Sequence, residues 1–490
     1  MSGFERCRQP GAGNPRIGKP KRAPAPIRQT DSGRKRRAEN AGRKNRMAGR
    51  EFFGLTQQAN TQMRQHTNVP DRKKTPVIRE VTNLVVPQPE LYHLSNGVPV
   101  YDTNMGTQEV VKLELVFYAG RPFEKKKIVS RATPALLREG AGSYSSASIA
   151  EIFDTYGGTL SIPVGMDTAG IQVHSLTRHI EKLLPVVAAM LSAPTFPQRE
   201  LDSFIERNRK RLQEELAKND VLAYRHFTEL LFGSEHPYGY NSFPETYSLL
   251  NREDLKQHFE ENFTAGNCLI FVSGKTGAPV RELLERYLGA AMLPGERQHA
   301  APAPAGSTPV QVKIPHPDAV QTAVRIGLPL FNRAHEDYNG MYVLNTILGG
   351  YFGSRLMENI REEKGYTYNI YSSHDTMLYD GYFYVGTEVG SEFAAPTLRE
   401  IYAEMQRLQQ ELVGAEEMEM VRNYLLGSLL TNLDGAFNIS EVVKTFTIEG
   451  LPLQVFEDLV DTIKTITPEA LRLLAQKYFN REKMWEVVVG

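Results

Sequence analysis

The stretch Leu348-Gly-Gly-Tyr-Phe-Gly-Ser-Arg-Leu356, followed by Ile360-Arg-Glu-Glu-Lys-Gly-Tyr-Thr-Tyr368, carries the most information about the fold of this 490-residue chain. Apolar residues at helical spacing lead up to the paired glycines, so a helix is predicted to end there. Ser354 is placed to cap a second helix, which Gly365 ends. The sequence therefore predicts two helices joined by a glycine-rich turn.

Strands lie on both sides of this region. Residues 366–373 alternate as a strand, and a loop pairs them with residues 381–387. Far upstream, residues 91–101 indicate a hairpin, residues 111–117 alternate as a further strand, and residues 147–156 have helical spacing. Strands and helices mixed in this order predict an α+β fold with a mostly antiparallel sheet and helices on one face.

The chain also repeats itself. Leu255–Gly274 and Leu471–Gly490 have the same length and plan, a helix leading into a strand that ends on glycine. Between the copies, residues 293–307 are rich in Pro, Ala and Gly, which is typical of an exposed linker. The sequence thus predicts two homologous domains, residues 83–292 and 308–490.

The N-terminal segment, residues 1–82, differs in composition from the rest. Residues 1–80 hold 20 Lys and Arg against 6 Asp and Glu, whereas the remainder holds 37 against 51. With almost no periodic apolar residues, the segment is predicted to be disordered. The basic run at residues 34–37 could touch nucleic acid through phosphates. A solvated tail, or sequence upstream of a true start at Met47 or Met63, is the preferred interpretation, and nucleic-acid binding is not expected.

The remaining composition indicates a soluble protein. The longest apolar stretch, residues 183–193, is too short to cross a bilayer, and no apolar secretory signal follows Met1. Two cysteines, Cys7 and Cys268, cannot build a disulfide framework or a thiolate metal site. We therefore expect a cytoplasmic protein that does not insert into membranes.

The two quoted segments resemble the C-terminal half-motif of the M16 family of peptidases, which includes pitrilysin, insulinase and the mitochondrial processing peptidase. The run His236-Pro-Tyr-Gly239 is similar to another motif of that family. The resemblance covers about residues 83–490. It implies two homologous domains, and a zinc peptidase activity whose residues are divided between domains.

The metal half of that machinery is missing from this sequence. The family's first domain carries His-x-x-Glu-His, where two histidines and a distal Glu bind zinc and the central Glu is the general base. Aligned on Gly140, those positions fall on Arg131, Pro134 and Ala135, none of which can bind zinc. Acidic or imidazole side chains elsewhere are interpreted as structural or solvated, namely Glu206, Glu214, Glu215, His174 and His179. We expect no metal and no cofactor in this chain, and no hydrolysis by it alone.

The substrate-side half of the machinery has counterparts here. In the family, an Arg and a Tyr seven residues apart reach the substrate from the partner domain, and Arg361 and Tyr368 match that spacing. A tyrosine hydroxyl can stabilise an oxyanion, and an arginine fork can hold a substrate carbonyl. The alternative is a surface arginine near a tyrosine packed in the sheet.

Two functions remain open. In the first, the chain is the non-zinc, substrate-side subunit of a heterodimeric M16 peptidase. Zinc would then lie on a partner that carries His-x-x-Glu-His, and the substrate would be a peptide. Alternatively, it is a catalytically inert scaffold of the same fold, in which Arg361 and Tyr368 are only structural.

Overall fold

The computed structural model describes residue 81 and residues 84–302, 308–316 and 319–490. The segment predicted to be disordered therefore lies outside the described residues, apart from Val81, and so do residues 303–307 of the predicted linker. Within the described ranges, no helix is long and apolar enough to cross a membrane. The exact domain boundaries stay a prediction.

The first half of the described chain forms a six-stranded sheet and a separate two-stranded sheet, β4–β5. The strands are β1 (Glu90–His93), β2 (Pro99–Asn104), β3 (Val110–Phe117), β4 (Gly140–Ala141), β5 (Tyr144–Ser145), β6 (Thr159–Ser161), β7 (Ala169–Leu176) and β8 (Cys268–Gly274). The α-helices are α1 (Val129–Leu136), α2 (Ser146–Thr155), α3 (Ile180–Ser192), α4 (Gln198–Leu216), α5 (Asn219–Phe232), α6 (Pro244–Ser248), α7 (Arg252–Asn262) and α8 (Ala278–Leu288).

The second half forms a five-stranded sheet. Its strands are β9 (Gln311–Ile314), β10 (Gln321–Leu330), β11 (Ile370–Thr376), β12 (Gly381–Gly390) and β13 (Trp485–Val489). Its α-helices are α9 (Tyr338–Asn345), α10 (Ala394–Gln410), α11 (Ala415–Thr431), α12 (Gly435–Ile448), α13 (Gln454–Thr465) and α14 (Pro468–Tyr478). Two π-helical segments, Thr346–Gly350 and Met357–Glu363, follow α9.

The five strands of the second large sheet follow the same order as five strands of the first, which has β1 in addition at one edge. The first runs β1-β2-β8-β3-β7-β6, and the second, read from its other edge, runs β9-β13-β10-β12-β11. In each, the last strand of the repeat lies parallel to one neighbour and antiparallel to the other, and the remaining pairs are antiparallel. The predicted α+β class, with two homologous, mostly antiparallel units, is confirmed.

The helices that open the two repeated segments begin at the residues that the sequence indicates. Asn251 accepts a hydrogen bond from the backbone of Asp254, whose side chain accepts one from the backbone of Asn251. Thr467 accepts from the backbone of Ala470 at 3.3 Å, and Pro468 takes the first helical position. Equivalent caps therefore place equivalent helices before β8 and β13.

Each half also contributes one helix to the sheet of the other half. Helix α5 packs on β10 and β13, and α12 packs on β8 and β2. Phe227 of α5 lies 6.2 Å from Tyr382, between ring centroids, and a Cβ on Gly327 would come within 2.7 Å of the Phe227 ring. The sequence does not predict these two contacts, in which a helix from the other half packs on each sheet.

A ring of four charges lies where α12 meets β3. Lys112 and Glu114 on β3 are almost fully buried, 2.6 Å apart, and Lys444 of α12 lies 2.7 Å from both Glu114 and Glu441. Lys112 also contacts Glu441. Burial alone would lower the pKa of Lys444, but the carboxylates of Glu114 and Glu441 raise it. Because the charges alternate in sign around the ring, each buried ion has an opposite neighbour.

Candidate functional site

The motif region forms two helices and a hairpin, with two differences from the prediction. The strand begins at Ile370 instead of residue 366, because Gly365 takes a positive φ of 66° and reverses the chain. Tyr366 then donates its backbone N–H to Ile360, and the Thr367 hydroxyl donates to the carbonyl of Glu388 at 2.7 Å. These bonds hold residues 366–369 as a loop ahead of β11.

Ser354 does not cap the second helix through its side chain. Its hydroxyl is buried and finds no hydrogen-bond partner among the described residues, although its carbonyl accepts from Glu358 at 2.9 Å. The prediction of a serine cap is therefore wrong. The helix that follows continues as the π-helical segment Met357–Glu363, a geometry that occurs often at functional sites.

Arg361 and Tyr368 meet through the backbone. The Nε of Arg361 donates to the carbonyl oxygen of Tyr368 at 3.0 Å, and its guanidinium lies 4.6 Å from the centroid of the Phe352 ring. Its Nη1 lies 3.4 Å from a carboxylate oxygen of Glu362. Arg361 thus fixes the loop that carries Tyr368, and the structure brings the two predicted residues together.

The side chain of Tyr368 points away from the body of the protein. It is 91% exposed, and its hydroxyl makes no hydrogen bond within the described ranges. A tyrosine packed in the sheet, which is the structural alternative, would be buried. The roles of Arg361 and Tyr368 in catalysis stay a prediction, but the position of Tyr368 is compatible with contact to another molecule.

Buried polar groups anchor the helix that bears Arg361. Asn359 is 6% exposed and donates to Glu404, which is 2% exposed, at 2.5 Å. Lys364 lies 3.3 Å from Glu400, on the same helix α10. Burial alone would raise the pKa of Glu400, but hydrogen bonds from Asn359 and Lys364 lower it. Sequence reasoning missed these anchors because their partners lie about forty residues away.

A second anchor holds the start of the same helix. Arg355 makes a bidentate pair with Glu417 of α11, at 2.9 and 2.8 Å. Burial opposes the charge, but the Glu417 carboxylate raises the pKa of Arg355. With one anchor on α10 and one on α11, the segment from Arg355 to Tyr368 is fixed relative to two helices.

The counterparts of the zinc motif lie on α1. Arg131 is exposed, Pro134 is buried inside the helix, and Ala135 is half-buried. The described residues contain no group of three or more His, Cys, Asp or Glu side chains that could hold a metal ion. That the chain binds no zinc stays a prediction.

The carboxylates considered for the distal ligand position lie on α4. Glu206 pairs with Lys210 at 2.7 Å and Glu215 pairs with Arg211 at 3.4 Å, one helical turn away in each case. Glu214 is exposed. These contacts are typical of a solvated helix face and agree with the structural interpretation.

The histidines considered as ligands also have structural contacts. His179 contacts the carbonyl of Tyr156 at 2.9 Å through Nδ1. His174 packs against Phe437 of α12, with 5.7 Å between ring centroids, and burial followed by the charge of Lys112 lowers its pKa. Among the described residues, neither histidine belongs to a group of three or more side chains that could hold a metal ion.

The run His236–Gly239 joins the two halves. The Tyr238 hydroxyl donates to Asp167 at 2.5 Å, and Asp167 accepts from the backbone of Leu378 at 2.9 Å. Burial raises the pKa of Asp167 despite both hydrogen bonds. A Cβ on Gly239 would come within 2.3 Å of the Gly233 carbonyl oxygen, so glycine is required there. The motif therefore has a structural role.

Comparison with known proteins agrees with the resemblance. Residues 249–425 match the family model described as the peptidase M16 inactive domain. The chain is 22% identical over 401 residues to the uncharacterized zinc protease YmxG of Bacillus subtilis, covering 80% of this chain and 96% of that protein. It is also 22% identical over 364 residues to the non-peptidase homolog YmxG of Helicobacter pylori, covering 72% and 83%.

A solved structure shows the same fold. The peptidase M16 inactive domain from Pseudomonas fluorescens superimposes with a TM-score of 0.77 at 24% identity, covering 82% of this chain and 98% of that one. The similarity of this chain to the M16 family, and to its inactive domain in particular, is thus confirmed. The matched region contains Arg361 and Tyr368 but not the helix with Arg131.

Proposed function

We propose that this chain is the substrate-side subunit of a two-subunit zinc peptidase. A partner subunit with a His-x-x-Glu-His motif would supply the metal and the general base, and the chain would present Arg361 and Tyr368 to the peptide. The observation that carries the proposal is the exposure of Tyr368, at 91%, on a loop whose Tyr368 carbonyl accepts a hydrogen bond from Arg361. The helix that bears Arg361 is in turn anchored by the hydrogen bond from Asn359 to the buried Glu404. A fixed backbone with a free phenol is what a donor to a substrate oxygen needs.

The two residues would act at different atoms. The hydroxyl of Tyr368 would donate to the oxygen of the scissile carbonyl as negative charge develops there. Arg361 uses its Nε on the Tyr368 carbonyl, so its Nη groups are the ones that could reach a substrate carbonyl. Arg361 would therefore both position Tyr368 and bind the peptide.

Tyr368→Phe in the assembled complex tests the proposal. The change removes one exposed hydroxyl, so folding and association should survive. If that hydroxyl meets the oxyanion, its loss costs about 2.7–4 kcal/mol of transition-state stabilisation, roughly a hundred- to a thousandfold in turnover. The native complex, recovered by affinity purification with a tagged chain, is assayed for peptide hydrolysis with and without a chelator.

Two controls make this result interpretable. Tyr287→Phe removes a phenol hydroxyl from α8, outside the candidate site, and should leave turnover unchanged. Rates are normalised to the amount of complex measured by size exclusion. A Tyr368→Phe complex with the turnover of the unsubstituted complex would refute the catalytic role.

The scaffold function is the second candidate, and one observation favours it. A relative that covers 72% of this chain carries the name non-peptidase homolog. On this hypothesis, Arg361 serves only to fix the loop through the Tyr368 carbonyl, and the phenol has no task. Turnover per complex would then be the same in Tyr368→Phe and in the control Tyr287→Phe. A zinc content of one per chain in the isolated protein would contradict both candidate functions.

A further inference from the structure

Residues 298–302, in the predicted linker, form one wall of a cavity of about 520 Å³, and its other walls lie in the first half. Gln298 donates its backbone N–H to the side chain of Asn267 at 3.0 Å, and Ala300 donates its backbone N–H to the Tyr379 hydroxyl at 3.2 Å. These bonds tie the predicted linker to both halves of the chain. A volume of this size lies within the range of about 300–1,000 Å³ that is typical of small-molecule sites.

One part of the cavity wall is apolar. It contains the ring of Phe123 and three prolines, Pro122, Pro237 and Pro302. The Phe123 ring also lies 6.4 Å from the Tyr379 ring, between centroids, so this part of the wall contacts the second half. An apolar side chain of a ligand would therefore find one aromatic ring and several rigid aliphatic rings to pack against.

Two side chains of opposite charge line another part of the wall. The Lys125 ammonium contacts Oε1 of Glu261, which also accepts from the Gln257 amide at 3.0 Å. Burial alone would raise the pKa of Glu261, but hydrogen bonds from Lys125 and Gln257 lower it, so its carboxylate is charged at neutral pH. Oε2 of Glu261 makes no hydrogen bond within the described residues. Because the Lys125 side chain is 66% exposed, the pair contributes little to stability, and a ligand can rearrange it.

The other carboxylate of the cavity wall is already engaged. Glu124 accepts from the Tyr240 hydroxyl and from the backbone N–H of Ser130, the latter at 3.1 Å. With two carboxylates and one lysine in its wall, the cavity does not favour a phosphate or another multiply charged anion. A matching ligand instead offers a positive group to Glu261 and a single negative group to Lys125.

We infer that the cavity binds a free α-amino acid with a large apolar side chain. Because Lys125 and Glu261 are in contact, the two charges that they bind must lie close together, as the α-ammonium and α-carboxylate of one amino acid do. In a peptide, at least one peptide unit separates the two termini. The α-ammonium would donate to Oε2 of Glu261, the α-carboxylate would accept from Lys125, and the side chain would pack on Phe123. The inference involves neither Arg361 nor Tyr368 and does not depend on the proposed function.

A ligand at this position would connect the two halves of the chain. It would contact residues 298–302 and Phe123, which meet Tyr379 of the second half through one hydrogen bond and one ring contact. A ligand that binds only this arrangement stabilises it by mass action. An apolar amino acid would therefore act as an effector that holds the linker against both halves.

Isothermal titration calorimetry of the full chain tests the inference. The probe is L-phenylalanine, and its matched analogues are phenylalaninamide, which lacks the carboxylate, and N-acetylphenylalanine, which lacks the ammonium. We expect saturable binding of one phenylalanine per chain and about tenfold weaker binding of each analogue, because each loses one charge-assisted hydrogen bond. Absence of saturable phenylalanine binding, or an analogue that binds as tightly as phenylalanine, would overturn the inference.

Two variants assign the charged contacts. Lys125→Met should weaken phenylalanine about tenfold but should not weaken phenylalaninamide, which has no carboxylate to lose its partner. Glu261→Gln should weaken phenylalanine and phenylalaninamide about tenfold but should leave N-acetylphenylalanine unchanged. Glu253→Gln is the control, since it removes a carboxylate from the same helix α7, where it pairs with Lys256 at 2.8 Å outside the cavity. Equal losses of phenylalanine binding in Glu261→Gln and Glu253→Gln would contradict the assignment.

Hydrogen exchange at Ala300 tests the position of the ligand under the linker. Its backbone N–H donates to the Tyr379 hydroxyl, and the cavity wall includes Ala300 itself. Saturating phenylalanine should slow exchange in a peptide that covers residues 296–302, and the same concentration of N-acetylphenylalanine should have less effect. Unchanged exchange at saturation would place the ligand elsewhere and overturn the inference. Equal thermal midpoints of the unliganded variants and the unsubstituted chain exclude unfolding as the cause of weaker binding.

Discussion

The two halves of the chain share one strand order but present different structures at equivalent places. In the first half, α1 and α2 are ordinary α-helices, and the side chain of Ser145 caps α2 by accepting from Ser148 at 3.2 Å. In the second half, the corresponding helices become π-helical over Thr346–Gly350 and Met357–Glu363. Phe352, between these two helices, and Tyr368, after them, are exposed, whereas Tyr144 and Tyr156 beside α2 in the first half are half-buried. The repeated scaffold therefore tolerates irregular local structure in the half with the candidate site.

The contacts that α5 and α12 make with the sheet of the other half differ as well. Helix α12 meets the first sheet through the buried charges of Lys112 and Glu114, whereas α5 meets the second sheet through the ring of Phe227. Burying charges is costly unless every ion keeps its partner, whereas burying a ring is favourable without one. The comparison thus indicates that the first contact is sensitive to charge and the second to volume.

Removing one member of the charge ring should have the largest effect. Lys112→Met keeps the volume but leaves Glu114 and Glu441 with a single cation, so we expect a loss of about 3–5 kcal/mol in the free energy of unfolding. Urea denaturation measures it. Lys210→Met, which breaks the exposed pair with Glu206, should cost about 1 kcal/mol or less. Similar losses in the two variants would show that the ring is not effectively buried.

A buried histidine in each half allows a second comparison. Burial lowers the pKa of His258 in the first half and of His374 in the second to about 4, from an ordinary value of 6.5. Because the folded pKa lies below the unfolded one, the neutral ring stabilises the fold fully above pH 6.5. That stabilisation is lost as the pH falls from 6.5 towards 4, by roughly 3 kcal/mol for each residue.

The two histidines differ in the number of hydrogen-bond partners of the ring, so the same substitution should have different effects on stability in the two halves. His258 contacts the Ala119 carbonyl at 3.1 Å and the Asn262 amide at 3.2 Å. His374 contacts the Phe331 carbonyl at 2.8 Å, and its Nδ1 has no partner among the described residues. At pH 7.5, His258→Leu should therefore destabilise more than His374→Leu. Each variant should reduce the acid dependence in urea titrations, and an unchanged dependence would contradict neutral burial.

The fold could be predicted from the sequence where its signals are local. The caps at Asn251 and Thr467 and the matching helix–strand segments lie within short windows, so two units were visible. The sequence does not predict that α5 and α12 each pack on the sheet of the other half, because an amphipathic pattern does not indicate which of two sheets a helix will cover. Long-range packing decides that choice.

The sequence offers candidates for the site residues but not for the contacts that support them. The resemblance to the M16 family implies Arg361 and Tyr368, and the structure places them in contact through a backbone carbonyl, while their catalytic roles stay a prediction. The anchoring residue Glu404 could not be found, because a lone acidic residue on a helix is normally solvated. The start of β11 was misplaced because Gly365 reverses the chain, and a glycine alone does not fix where pairing begins.

The smallest expected effect comes from the two serines that precede equivalent helices. Ser145 accepts from the backbone of Ser148, so Ser145→Ala should cost about 1 kcal/mol of stability, the usual value for a lost N-cap. Ser354 has a buried hydroxyl with no partner in the described part of the chain. Ser354→Ala removes a desolvated hydroxyl and no hydrogen bond, so stability should be unchanged or slightly higher. The thermal midpoints of Ser145→Ala and Ser354→Ala, each compared with that of the unsubstituted chain, test this difference. A loss of about 1 kcal/mol for Ser354→Ala would show that its hydroxyl has a partner in solution and that the two helices begin alike.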